Sequence, residues 1–411
     1  MSTARCTEVV EPTTPVDTRW LWLFGLAWLG FWLLVMLPGQ IMLAQLAKSI
    51  HPGRKVELVS LFQAVMLLTV VLVVPLVGYL CDRTVLAWGR RRVWAVGGFA
   101  LASVTFVLVG FTERVPLVCL LLVLVAVGEA CVLVALSAMI ADQVPVAQRG
   151  RASAAFGVSQ VLALAGGMVV VTSVITDVTT GWLVIGVAAL VVCLPFLLGR
   201  REPAPSPTAR VRGGLRHNIA PPRLAEARDY YWAMATRVLI NAGNLVGTTY
   251  LLYYADDVLR RSNPDAAVLA LTLVYLIFCV FATYAAGVVS DRLLRRRPLV
   301  VAGGMLQVLA ALLLVVSPTW GATMIAACLL GIGYGAFLSV DQALTTDVLP
   351  QPETRARDLG LVNAAQHLPI APLVGFTVLA VTGESYRALY AAAAAVMVMG
   401  VWSVTRIRGV R

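Results

Sequence analysis

Twelve apolar runs, separated by short polar breaks, dominate the 411-residue sequence. They fall at about 20–47, 58–80, 93–111, 116–140, 152–175 and 181–198, and again at about 230–255, 267–289, 298–316, 321–345, 359–381 and 386–405. A helix crosses the hydrocarbon of a bilayer in roughly 17–25 residues, and every run is long enough. Inside hydrocarbon each peptide group must find its partner within the chain, so helix is the default. Hydrophobic residues make up 60% of the chain and charged ones 13%, too little polarity to cover a water-exposed surface. The sequence therefore predicts an all-α membrane protein with twelve transmembrane helices. Soluble enzymes, disordered chains and disulfide scaffolds are excluded.

The basic residues orient these spans. Twenty-four of the 32 Lys and Arg fall on one side: in the two tails, after spans 2, 4, 8 and 10, and between the halves. Only Lys48, Arg54, Lys55, Arg114, Arg260, Arg261 and Arg387 fall on the other, and Arg237 lies within a span. Cytoplasmic loops carry such an excess, which predicts that both termini are cytoplasmic. The net charge of +11 is thus a topology signal, and nucleic acid is not an expected partner. The run from Trp20 to about Ala47 is longer than a signal peptide's apolar region and reads as a retained helix. Arg outnumbers Lys by 30 to 2, the usage of a high-GC genome, so the expected location is a bacterial plasma membrane. The domain reading is a tail at 1–19, a six-helix bundle at 20–198, a linker at 199–229, a second bundle at 230–405 and a tail at 406–411. The linker carries five prolines and seven arginines.

The two halves repeat. Gly128-Glu-Ala-Cys…Asp142-Gln-Val-Pro145 aligns with Gly333-Tyr-Gly-Ala…Asp347-Val-Leu-Pro350 at an offset of 205. Gly78-Tyr-Leu-Cys-Asp82-Arg83 aligns with Gly287-Val-Val-Ser-Asp291-Arg292 at an offset of 209. Duplicated halves are one of the arrangements of secondary transporters. At these residues the chain resembles the major facilitator superfamily over essentially its whole length. The superfamily's loop between helices 2 and 3 reads G-x-x-x-D-[RK]-x-G-[RK]-[RK]. Gly78, Asp82 and Arg83 match it, and Gly89-Arg90-Arg91-Arg92 follow after five residues where one is common. That longer form is similar to the loop of glycoside and sucrose symporters. The resemblance implies that Gly78, Asp82, Arg83, Gly89, Arg90 and Arg91, with Asp291 and Arg292 of the second copy, form a gate. The residue chemistry agrees: a glycine admits a close backbone, and an Asp beside Arg can pair in one state and release in another.

Charges inside a span are costly and usually functional. Glu129 sits near the middle of span 4, with no obvious partner at its depth. Arg237 lies ~12 Å inside the basic end of span 7, and Asp341 ~9 Å inside the same end of span 10, at 1.5 Å per residue. The resemblance implies that helices 1, 4, 7 and 10 line a central cavity, and all three charges fall on that set. Arg237 and Asp341 are expected to pair. Glu129 is expected to be the coupling carboxylate, with Asp341 beside it in the proton-coupling set, because a lone acid in low dielectric can exchange a proton near neutral pH. Arg237, Asn241, Asn244 and Thr248 step by 4, 3 and 4 along one helix face. Tyr334 on span 10, and Trp28, Trp32, Met36 and Gln40 on span 1, add aromatic and amide groups. The expected cargo contacts are Arg237, Asn241, Asn244, Gln40, Trp32 and Tyr334, with helix-to-helix gluing by Asn and Thr as the rival reading. Trp20 and Trp22 read as interface anchors. Tyr250, Tyr253 and Tyr254 read either as an aromatic belt or as an outer gate. Pro369 and Pro372 predict a kink in span 11.

Other chemistries are missing. The seven cysteines form no C-x-x-C pair, and the three histidines are scattered, so neither metal nor cofactor is expected. No G-x-x-x-x-G-K-[ST] loop is present, which argues against an ATP-driven pump. No catalytic constellation suggests an enzyme. The Gly-Pro of span 5 and the Arg of span 4 that mark drug antiporters of the superfamily are absent, as is the span 1 acid of many proton–sugar symporters. The expectation is a monomeric secondary transporter, coupled to protons, for a small organic solute. The alternatives are a drug or metabolite efflux antiporter, and a non-transporting receptor, scaffold or lipid flippase on the same fold.

Overall fold

The computed structural model describes residues 15–84, 89, 91–145, 148–175, 177–199, 222, 227–293, 296–348, 361–362, 365 and 367–407. The central part of the linker lies outside the described residues, as do Arg90 and the side chains of Asp82, Asp291 and Arg292. Twelve helices follow the twelve apolar runs. They are α1 (Thr18–Ile50), α2 (Lys55–Arg83), α3 (Arg92–Gly110), α4 (Val115–Gln143), α5 (Arg149–Val169), α6 (Val178–Gly199), α7 (Arg228–Thr249), α8 (Pro264–Leu293), α9 (Arg296–Val316), α10 (Trp320–Asp347), α11 (Ile370–Thr382) and α12 (Tyr386–Thr405). Among the described residues there is no strand.

Ten of these helices are long and apolar enough to cross a membrane on their own, among the described residues. The two exceptions have physical causes. α7 carries the polar stripe that begins at Arg237. α11 has 13 residues and follows a turn at 367–369. Helical residues at 361–362 and 365 precede a turn at 367–369, so the prolines stand where the helical path of span 11 is interrupted: Pro369 caps α11 and Pro372 lies in its first turn, where a proline costs no hydrogen bond. α1 is interrupted by a π-turn at Pro38–Met42. Helix starts use ordinary caps, with Asp17 accepting from the Trp20 amide at 2.8 Å and Ser385 from the Ala388 amide at 3.4 Å.

The described chain forms two compact units. One combines Met1–Leu37, Leu72–Gly167 and Thr179–Asn218; the other combines Pro38–Val71, Met168–Val178 and Ile219–Arg411. The ends of α1, α2 and α5 remote from the basic loops thus pack with the second half of the sequence.

Glycines set the helix spacing. In the first unit α3 lies on α4, and a methyl added to Gly98 would fall 2.8 Å from the Gly128 carbonyl oxygen. In the second unit α9 lies on α10, and a methyl on Gly303 would fall 2.7 Å from the Gly333 carbonyl oxygen. Gly98 and Gly303 are separated by the same 205 residues as Gly128 and Gly333, so the repeat extends to the backbone contact that holds each pair of helices. α10 also meets α8 through Gly331 and Gly335, which face the Tyr275 and Cys279 carbonyls. Lipid tails are as apolar as leucine, so close backbone packing replaces the hydrophobic drive between such helices. Leu72, Phe281, Tyr284 and Val316 point outward, the lipid-facing surface of a multi-pass membrane protein.

Gly128→Ala and Gly333→Ala should each destabilise the protein by about 1–3 kcal/mol through overpacking. Gly97→Ala, on the open side of α3, should leave thermal melting in detergent unchanged or raise it. Equal behaviour of the three variants would refute the glycine-contact account.

Candidate functional site

The polar residues of α7 and α10 meet inside the second unit. Arg237 Nε lies 2.7 Å from Asp341 Oδ2, and their side chains are 9% and 2% exposed. The expected pair is thus formed, and it is buried. Tyr334 donates to Asn241 Oδ1 at 2.8 Å, and Asn241 Nδ2 donates to the Arg237 carbonyl at 2.8 Å. These two side chains tie α10 to α7, the gluing role that rivalled cargo contact. Asn244 is buried, and Thr248 bonds back to its own helix. Asp341 Oδ1 is buried without a hydrogen-bond partner among the described residues. The pair therefore leaves one anionic oxygen unsatisfied, which a proton or a donor group could fill. The Tyr275 ring, 6.3 Å from that of Tyr334, adds an aromatic residue that the sequence reading did not single out. It lies on α8, outside the four helices that the resemblance pointed to.

In the first unit Glu129 is buried mid-way along α4, and its Oε1 has no hydrogen-bond partner among the described residues. α1 supplies an aromatic cluster. The rings of Trp28 and Trp32 lie 4.6 and 5.1 Å from Phe156 of α5, and 6.2 Å from each other. Both indole N–H groups are buried and unpaired among the described residues. Trp20 belongs to the same cluster, stacked on Phe24 at 4.6 Å and buried, so it is a packing residue and not the expected interface anchor. Trp22 is exposed, as an anchor requires. Met36 contacts Gln160 at 3.8 Å, whereas Gln40 belongs to the second unit, in the π-turn of α1.

At the basic end of the first unit, Arg91 is almost wholly buried and joins three elements. It donates through Nε to Asp142 at 2.9 Å and through Nη1 to Cys81 Sγ at 3.2 Å. Burial opposes its charge, but the bonds to Cys81 and Asp142 more than compensate and hold its pKa above the ordinary value. Asp142 was noted in the repeat without a role; it is the acid of this node. Cys81, read as a small buried hydrophobe, is its third member. Gly89 has a φ of 107°, a conformation open to glycine and strained for other residues. Arg83 lies 4.3 Å over the Tyr79 ring, and no described atom comes within 4 Å of a methyl placed on Gly78.

The second unit carries a polar cluster at its opposite end that spacing arguments missed. Lys48 pairs with Asp256. Lys55 Nζ lies 2.6 and 2.7 Å from the two oxygens of Asp257, which also accepts from Tyr386 at 2.6 Å. Gln45 donates to Asp265 at 2.7 Å, and Thr249 to Gln63 at 3.0 Å. Tyr250 meets Ser60 at 2.7 Å, and Tyr253 donates to the Ala44 carbonyl at 3.0 Å. Tyr250 and Tyr253 are fully buried, so they do not form a lipid-facing belt. The Lys48–Asp256 pair is partly exposed, and pairs of that kind contribute only about 0–1 kcal/mol; the Lys55 side chain is largely buried against Asp257.

Losing one member of the Arg237–Asp341 pair strands a buried charge, at a cost of about 3–5 kcal/mol. Arg237→Ala and Asp341→Ala should each lower thermal stability strongly, and the double variant should recover much of the loss. Additive losses in that double-mutant cycle would contradict a coupled pair.

No curated protein matches the sequence. Solved structures do match it. A mutant of the nucleoside transporter NupG is 11% identical, with 94% of this chain and 99% of that one covered at a TM-score of 0.75. A second structure of NupG is 13% identical, with 95% and 99% covered at a TM-score of 0.70. A bacterial homolog to the human lysosomal transporter Spinster is 14% identical, with 95% of each chain covered at a TM-score of 0.66. At these identities the likeness is one of fold. The sequence itself matches the Major Facilitator Superfamily profile over residues 20–267 and 260–409, and the chain belongs to this superfamily of membrane transporters.

Proposed function

We propose that the protein is a secondary active transporter that moves a small organic solute by alternating access and couples this movement to protons. The observation that carries the reading is Glu129, a buried carboxyl with an unpaired oxygen in the middle of a membrane helix. A charge there is expensive unless it is neutralised or used. In our reading Glu129 takes a proton in one state and gives it up in another, and Asp341 responds to the same cycle through its unpaired oxygen. The unpaired indole N–H groups of Trp28 and Trp32 offer donors beside flat aromatic faces, which suits a hydroxylated, ring-bearing solute. Two of the similar structures are of a nucleoside transporter; cargo is argued from this chain's own side chains, and nucleosides belong in any screen. Trp32, Gln40, Arg237 and Asn244 are the proposed cargo contacts, with Asn241 and Tyr334 holding α7 against α10 beside them.

The gate has two ends in this reading. Gly78, Asp82, Arg83, Gly89, Arg90, Arg91, Asp291 and Arg292 act at the basic, cytoplasmic end. The Lys48–Asp256 and Lys55–Asp257 pairs close the other. The proposed setting is a bacterial plasma membrane, with both termini cytoplasmic and the protein working as a monomer.

The test begins with a thermal-shift screen of sugars, nucleosides and organic acids at two pH values, since a ligand of the folded state raises the melting temperature. In proteoliposomes a proton gradient should drive accumulation of a solute found this way. Glu129→Gln should abolish accumulation while sparing counterflow exchange. Proton-driven accumulation that survives in Glu129→Gln would remove Glu129 from the coupling role.

A further inference from the structure

The last turn of α12 carries a charged patch that the transport reading does not use. Trp402 is 47% exposed there. The Arg406 guanidinium lies 4.5 Å over its ring, and the Trp232 ring of α7 meets it edge-on at 5.4 Å. Arg297, in the first turn of α9, donates through Nη2 to the Thr405 carbonyl at 2.9 Å. That carbonyl belongs to the peptide bond joining Thr405 to Arg406, so both arginines are fastened to one helix end. All of these residues belong to the second unit.

Neither arginine is neutralised. Among the described residues no carboxylate pairs with Arg297 or Arg406. Arg406 makes no side-chain hydrogen bond there, and Arg297 uses Nη2 alone. Capping of α12 explains part of the arrangement, since the free carbonyls of a helix end amount to about half a negative charge. Against this stand two guanidinium charges, and the amide end of α9 adds about half a positive charge more. A positive excess of about two charges remains, by the same measure.

Position names what meets this excess. Trp402 lies at the end of a helix long and apolar enough to cross a membrane, the level at which indole rings sit among lipid headgroups. Its exposed ring suits the glycerol and upper acyl carbons of a lipid. The unused N–H groups of the two arginines suit phosphate oxygens, which guanidinium binds through paired hydrogen bonds. A zwitterionic headgroup would bring its own ammonium against two positive charges. We propose that this patch is a docking site for an anionic phospholipid, one whose headgroup carries a phosphate and no amine. The ring stack holds Arg406 and the carbonyl bond holds Arg297 in advance, so binding costs little side-chain freedom. Such binding requires only that α12 cross a membrane, and it stands or falls apart from transport.

Native mass spectrometry tests it on the full-length protein. The protein is released from nanodiscs holding equal parts of phosphatidylglycerol and phosphatidylcholine with the same acyl chains, and each retained lipid is counted. Wild type is compared with Arg406→Gln, with Arg297→Gln/Arg406→Gln, and with a control, Arg114→Gln/Arg387→Gln, which removes the same charge from exposed positions at the other end of the helices. Arg406→Gln breaks no described hydrogen bond, so the comparison stays readable if the double variant fails to fold. Wild type should retain phosphatidylglycerol in preference to phosphatidylcholine, and the control should match it. Arg406→Gln should lower that preference about fivefold and the double variant about twentyfold. Equal retention of the two lipids by wild type, patch variants that keep the wild-type preference, or a control that loses it as they do would each overturn the proposal. So would release of the retained phosphatidylglycerol by excess glycerol phosphate, which would make this a site for a soluble anion.

Discussion

The hydrocarbon of the bilayer is the constraint on which the structure depends. It removes water as a partner for the backbone, so each crossing segment is a helix. It also removes most of the hydrophobic drive that pulls soluble helices together, leaving close contact as the main attraction. Gly98 against Gly128 and Gly303 against Gly333 supply that contact at equivalent places in the two halves. With the backbones this near, the larger side chains are free to face lipid or to fill the remaining gaps. Where the gap-filling residues are short, as around Tyr390, a cavity is left.

The same solvent grades the charges by depth. Arg237 and Asp341 are buried together, and breaking them costs more than a typical thermal fluctuation supplies. Glu129 is buried with one oxygen unpaired among the described residues. The Lys48–Asp256 pair is partly exposed and weak by the measure of surface pairs, and the neighbouring Lys55 is largely buried against Asp257. A ligand or proton shifts a conformational equilibrium only through different contacts in its two states, and unpaired groups are where a difference can be made.

The helices, the repeat and the Arg237–Asp341 pair were legible in the sequence because their signals are local. A 20-residue apolar run, a constant offset and two charges at matching depths can each be counted along the chain. The cluster built on Asp257 could not be read this way. Its partner Lys55 is 202 residues away and Tyr386 is 129 residues away, with no periodicity joining them. Lys48 and Lys55 carried only an orientation signal until their acids were seen. Trp20 was misread because a tryptophan near a span's end fits the interface rule as well as it fits packing on Phe24. The Tyr390 cavity was invisible for another reason: it is made by missing side-chain volume on several helices. Asn241 and Tyr334 were rightly placed on one polar face, but only their mutual hydrogen bond shows how much of that polarity serves helix packing.

We propose that the polar contacts at the Lys55–Asp257 end close and open as the protein works. This is tested most directly by electron-spin distance measurements between labels at Gly53 and Glu384, exposed residues that flank this cluster, in a protein freed of its native cysteines. The account predicts two distance populations, with the longer one gaining weight when Lys55→Ala and Asp257→Ala are introduced. A single distance, unchanged by those substitutions and by pH, would contradict it.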